Sequence, residues 1–211
     1  MQVAVPIFEA LTALDAVGPY EVLNRPPGWD VVFVAAELGP KRTDDGALSL
    51  VADATLADVP RPDAIVVPGG AGTRSQRQDD LVEWIRSAHE HTSWTASVCT
   101  GALLLGRAGV LEGRRATTHW AFLDSLATYG AEPVSERVVE DGRVVTAAGV
   151  SAGIDMGLRL VQRELGDDMA QAIQLSIEYD PAPPLDAGSP AKAPQSIVDL
   201  VRLTTGPVEA T

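Results

Sequence analysis

"SWTASVCTGALLLGRAG", residues 93 to 109, holds a strand, a turn and a helix in seventeen letters. Thr95 to Val98 is a short apolar run of the kind that forms a buried strand. Gly101 to Ala108 is leucine- and alanine-rich and helix-like until Gly109 stops it. Between them sits Cys99, the only cysteine of the 211-residue chain. A sharp strand-to-helix turn exposes its apex side chain, and the small residues Gly101 and Ala102 leave room for the bend. In a parallel sheet the carboxyl edge, where such a turn lies, is also where ligands bind. The helix N-terminus favours negative charge, so the thiol is expected to ionise more easily than a free one. The bland reading makes Cys99 a small buried hydrophobe. Its place at the elbow favours a functional thiol.

Outward from the elbow, strand-like runs at Val3 to Phe8, Val31 to Ala36 and Ala64 to Val67 alternate with helical patterns. Those helices are Asp79 to His91, Trp120 to Tyr129, Ala152 to Leu165 and Asp167 to Tyr179, with Gly130 and Gly166 as further stops. Such alternation predicts a layered α/β fold with a largely parallel sheet. Asp45-Gly46 and Asp141-Gly142 read as hairpin turns. "DPAPPLDAGSPAKAP", at about residues 180 to 195, is too proline-rich for a helix interior or a central strand. It predicts an extended arm before a short last helix from Gln195 to Leu203. Residues 1–211 are expected to form one domain, since the length suits one large core.

A formal charge of −13 repels phosphate backbones, which argues against nucleic acid as a partner. One cysteine excludes an internal disulfide and suits a reducing compartment. The first residues lack the pattern of a secretory signal, and no apolar run is long enough to span a bilayer, so a cytoplasmic protein without membrane attachment is expected.

Two other segments supply partners for a thiol. In "AIVVPGGAG", residues 64 to 72, a strand ends in Pro68-Gly69-Gly70, where backbone can approach a ligand closely. The N–H of Gly70, paired with that of Thr100, would form an oxyanion-type hole, although most Gly-Gly turns merely reverse the chain. "FEALTALDAVGPYEVL", residues 8 to 23, leaves the first strand on the same sheet edge and carries Asp15. Thr12 to Asp15 has capping-box spacing, which would give the aspartate a local role. Facing the thiol, it would instead have a raised pKa. Both readings stand open.

Together, "SVCTGALLLGRAGVLEGRRATTHW", "VVPGG", "LDAVGPYEVL" and "YDPAPPLDAGSP" resemble the ThiJ/PfpI family of the class I glutamine amidotransferase-like superfamily, and within it the bacterial isonitrile hydratases. The resemblance runs from residue 1 to about residue 195. It implies a flavodoxin-like three-layer sandwich, a nucleophilic Cys99, an oxyanion donor at Gly70, an acidic partner at Asp15, a threonine after the cysteine at Thr100, and a homodimer. It implies hydration of an isonitrile to an N-substituted formamide through a cysteine thioimidate, with a small-molecule substrate and no cofactor or metal. Alternatives are a cofactor-independent glyoxalase acting on 2-oxoaldehydes, whose family members tend to carry glutamate in place of Asp15, and a non-enzymatic ligand- or redox-sensing domain. Regulators with this fold carry a DNA-binding domain after it, for which a chain ending at Thr211 has no room. Protease-like relatives have histidine where this chain has Thr100, and amidotransferases have a late His-x-Glu pair that is missing after His119.

His119, in "TTHW", is open between a place near Cys99 and a strand-end structural role. His89 and His91, two apart on one helix, do not share a face and are expected at the surface. Trp120 and Tyr179 read as packing residues rather than pocket walls.

Overall fold

The protein, seen in a computed structural model, is described over residues 1–75 and 78–205. The expected end of the unit at Thr211 lies outside the described residues. In chain order the strands are β1 (Gln2–Pro6), β2 (Asp30–Ala35), β3 (Gly39–Arg42), β4 (Ser49–Ala52), β5 (Ala54–Thr55), β6 (Ala64–Val67), β7 (Trp94–Val98), β8 (Arg115–Ala116), β9 (Glu132–Pro133), β10 (Val138–Asp141) and β11 (Val144–Ala147). The α-helices are α1 (Ala13–Leu23), α2 (Asp79–His89), α3 (Gly101–Arg107), α4 (Ala152–Leu165), α5 (Asp167–Ser176) and α6 (Gln195–Thr205).

Seven strands form the main sheet in the order β10-β11-β7-β6-β1-β2-β5. Every neighbouring pair is parallel except β10 with β11, an antiparallel edge hairpin turned at Asp141-Gly142. The Asp45-Gly46 turn likewise joins β3 and β4 into an antiparallel ribbon. All four residues of β6 are buried, as befits a strand covered on both faces, and an apolar run such as Ala64 to Val67 satisfies that demand. Helices cover the sheet in two layers: α1 packs on α4 and α4 on α5, while α3 packs on α2 and on the segment Trp120–Tyr129. The order in which strands are added reverses at β1, with β2 on one side and β6 on the other, all three parallel. The crevice at that switch point opens at the carboxyl ends of the strands.

Two expected helices differ from the reading of the sequence in type or by more than two residues at an end, while α2 stops two residues short, at His89, and α6 runs two residues further, to Thr205. Trp120–Tyr129 winds as a 3-10 helix, with the His119 Nδ1 accepting from the Ala121 N–H at its start and the Thr128 hydroxyl donating to the Ser125 carbonyl near its end. The other, α5, stops at Ser176 rather than at Tyr179. Glu178 takes a left-handed φ of 52°, and the N–H groups of Glu178 and Tyr179 return to the carbonyls of Leu175 and Gln174, a Schellman end built without glycine. Residues 180–194 form the arm expected from their prolines, with neither helix nor strand. Among the described residues no helix is long and apolar enough to cross a membrane.

Candidate active site

Three loops leave the carboxyl edge beside one another: after β1, toward Asp15 on α1; after β6, at Gly69 and Gly70; and after β7, at Cys99. Cys99 itself is the elbow. Its φ is 55°, a left-handed conformation that a cysteine adopts only when its surroundings hold it there. The holding contacts are visible. Its N–H donates to the carbonyls of Ala147 (3.0 Å) and Ala148 (3.2 Å), and its own carbonyl accepts from the Thr118 hydroxyl at 2.7 Å. Behind it, Gly101 lies so close to β6 that a Cβ there would stand 2.1 Å from the Val67 carbonyl oxygen. The small residue read as room for the bend is therefore required.

Asp15 faces the thiol. It is completely buried, and its Oδ2 accepts from the Gly69 N–H at 2.9 Å. The capping box is not made: the Thr12 hydroxyl donates to Asp44 Oδ2 at 2.7 Å, and the Thr12 N–H donates to the Gly69 carbonyl at 2.9 Å. The Thr12 hydroxyl and N–H, which the local reading needed, are both committed to other segments. The other carboxyl oxygen, Oδ1, has no hydrogen-bond partner, while the Cys99 thiol faces the carboxyl. Burial raises the Asp15 pKa to about 7, against the pull of the Gly69 N–H and the thiol, with a smaller push from the charge of Asp44.

The expectation of an easily ionised thiol is corrected. Cys99 is 6% exposed, and burial together with the facing Asp15 pushes its pKa far above the ordinary thiol range. The N–H and hydroxyl of Thr100 pull the other way without compensating. One turn of helix cannot repay the lost hydration of a thiolate.

The Gly70 N–H is likewise not a free oxyanion donor, since it donates to Thr100 Oγ1 at 2.9 Å, and that hydroxyl can return a bond to the Gly70 carbonyl at 3.2 Å. Gly69, which the sequence reading passed over, is the residue that touches the acid. A Cβ there would fall 2.7 Å from both Asp15 Oδ2 and Thr100 Oγ1. Thr118 was also missed. Both lie inside quoted motifs, but their bonds cross long stretches of chain that spacing alone does not show.

His119 makes no hydrogen bond to Cys99. Its Nδ1 accepts from the Ala121 N–H, its ring stacks on Trp120, and burial lowers its pKa, so the neutral ring carries its proton on Nε2. His91 is exposed as expected. His89 is not a surface residue: half-buried, it meets Thr95 Oγ1 at 2.8 Å and Arg143 at 3.4 Å, and its pKa falls to about 4. At the end of α2, it meets the start of β7, at the opposite end of that strand from Cys99. Trp120 packs under the Arg202 guanidinium as read, whereas the half-buried Tyr179, read as a packing residue, lines a surface pocket with Arg159 and Gln174 and donates its hydroxyl to Asp155. Among the described residues no three His, Cys, Asp or Glu side chains gather as a metal site would need.

A strained cysteine elbow on the carboxyl edge of a parallel sheet, faced by a buried carboxylic acid, defines an α/β protein of the cysteine-elbow class. Residues 1–163 match the DJ-1/PfpI family, and the chain belongs to it. Isonitrile hydratase from Pseudomonas putida is 45% identical over 208 residues, 98% of this chain and 91% of that protein. The HTH-type transcriptional regulator CdhR of Pseudomonas aeruginosa is 31% identical over 180 residues, but these make up only 52% of the regulator. Among solved structures, a ThiJ/PfpI family protein from Pseudomonas syringae superposes with a TM-score of 0.92 at 35% identity, over 96% of this chain and 85% of that one.

Proposed function

We propose that the protein is a cysteine-dependent enzyme that hydrates a small isonitrile to the N-substituted formamide, acting as a cytoplasmic homodimer. The observation that carries this reading is the buried Asp15 carboxyl, anchored by Gly69 and facing the Cys99 thiol, with a pKa of about 7. Similarity to an isonitrile hydratase along almost the whole length of both chains supports the choice of substrate.

Because the thiol holds its proton tightly, the reactive form of the pair is the one with a single shared proton. The Asp15 carboxylate takes the thiol proton as sulfur attacks the terminal isonitrile carbon, and delivers it to that carbon. The C–S and C–H bonds form, and the product is a thioimidate, R–N=CH–S–Cys99. The same carboxylate then draws a proton from water as its oxygen adds to the carbon, and the nitrogen takes that proton. Collapse of the adduct breaks the C–S bond and releases R–NH–CHO. The hydroxyl proton returns through Asp15 to the thiolate, restoring the starting pair. Thr100 holds water or acid through its hydroxyl. Its N–H, together with the Gly70 N–H released when that hydroxyl turns to substrate, steadies the developing charge.

The test assays cyclohexyl isocyanide and methylglyoxal side by side. Formamide should form from the first and little lactate from the second, and Cys99→Ala should reduce formamide to background because the chain has no other thiol. Lactate forming faster than formamide would replace this reading with the 2-oxoaldehyde reaction. Neither product from reduced, folded protein would favour a sensing or binding role.

A further inference from the structure

The loop that leads into α1 is clasped by the turn of the β3–β4 ribbon. The Asp44 N–H donates to the Leu11 carbonyl at 3.0 Å, and Leu11 bridges to Thr43 beside it. Both carboxyl oxygens of Asp44 are occupied. Oδ1 accepts from the Asp45 N–H at 3.1 Å, and Oδ2 accepts from the Thr12 hydroxyl at 2.7 Å, three residues before Asp15. On its other side the same loop is fixed by the Thr12 N–H bond to Gly69, the residue whose own N–H holds the Asp15 carboxyl. The first turn of α1 is thus held between the Gly69 turn and the ribbon, and the contact on the ribbon side carries a negative charge.

We infer that Asp44 is a positioning residue for Asp15, fixing the first turn of α1 through its bond to the Thr12 hydroxyl. This rests on the reading of Asp15 as the group that carries the proton. The Cys99 thiol from the elbow faces Asp15, and the charge of Asp44, held on the ribbon by Thr12 and the Asp45 N–H, adds a smaller push against ionisation of its carboxyl. Within the ribbon, Asp45 is turned to Thr43 and the Ala47 N–H, and the Arg42 guanidinium bonds the Gly46 carbonyl. Asp44 is the residue there that couples the ribbon to the acid. Its exposure makes the coupling weak in water, so it tunes Asp15 rather than creating its behaviour.

Three variants separate charge from tether: Asp44→Asn keeps an oxygen for the Thr12 hydroxyl and removes the charge, Thr12→Val removes the tether and keeps the charge, and Asp44→Ala removes both. The direct readout is the titration of the Asp15 carboxyl by carbon-13 NMR, its signal identified by its loss in Asp15→Asn. In Asp44→Asn the midpoint should fall by roughly a few tenths of a pH unit, as for one partly screened charge, and the rising limb of formamide formation should move with it. Thr12→Val and Asp44→Ala should each lose roughly tenfold in turnover at unchanged KM, and the double variant should lose no more than either, because both cut one link. Full turnover in Thr12→Val or Asp44→Ala overturns the inference, and so do losses that add in the double variant. If the midpoint moves while no formamide ever forms, the coupling stands and the hydratase reading falls.

Discussion

Asp15 combines two costs in one side chain: it is buried, and its environment keeps a proton on it near neutrality. An unfolded chain releases that proton around the ordinary carboxylate pKa of 3.8, whereas the folded chain releases it at about 7. Across that window the folded chain binds the extra proton, so raising the pH lowers stability. The penalty is absent below pH 4 and complete above pH 7. Asp15→Asn has no such penalty and can still accept the Gly69 N–H. It should therefore be more stable than the wild type at pH 8, by at most roughly 4 kcal/mol, with the gain vanishing near pH 4; thermal denaturation at the two pH values measures it. Formamide turnover in the same variant should fall about 10²–10⁴-fold, the usual cost of losing a positioned acid/base. A less stable, fully active Asp15→Asn would return the residue to a structural role. The thiol gives an independent readout. Iodoacetamide labelling of Cys99 should be slow at pH 7 and rise only well above the ordinary thiol range. In Asp15→Asn the profile should move to lower pH, because a negative charge that opposes the thiolate is gone.

At the scale of elements, the elbow depends on β6 and α3 approaching more closely than any side chain would allow. Gly101→Ala would drive a methyl into the Val67 carbonyl oxygen, and backbone on a central strand cannot step aside. That variant should lose about 1–3 kcal/mol or more of stability together with its turnover, read by denaturation and by the formamide assay. Gly109→Ala is the contrast. Nothing lies within 4 Å of its Cβ position, and its φ of 79° costs only the left-handed strain, about 1–2 kcal/mol, with turnover retained. These two glycines also show what the sequence discloses. Gly109 as a stop, the Asp-Gly hairpins and the apolar runs of β6 and β7 are local signals, and each sits within a residue of where it was read. The end of α5 was illegible because Glu178 does the work usually left to glycine. The chemistry was half legible. Cys99, Asp15 and Thr100 were nameable, and they do meet, but the anchoring of Asp15 by Gly69 spans 54 residues. The burial that reverses the expected pKa of the thiol is a property of the packed layers and belongs to no single motif.

At the scale of the whole molecule, the proposed assembly has to overcome charge. Two copies, each with a formal charge of −13, repel one another, and at 0.1 M salt the repulsion reaches about 10 Å from the surface. Exposed apolar surface offers an attraction to set against that repulsion. Leu175 on α5, Leu185 on the arm and Leu203 on α6 stand 81%, 76% and 86% exposed in the single chain, a placement water disfavours for large aliphatic side chains. If the proposed homodimer buries side chains of this kind, added salt screens the repulsion and leaves the apolar contact intact, so the dimer should tighten as sodium chloride is raised. Light scattering at micromolar concentration should then report twice the 22.2 kDa of one chain, with the dimer persisting to greater dilution in high salt than in low. A strictly monomeric protein would contradict the proposed assembly. A dimer that loosens with salt would instead place ion pairs at the interface, since screened attraction between opposite charges is the contribution that salt removes.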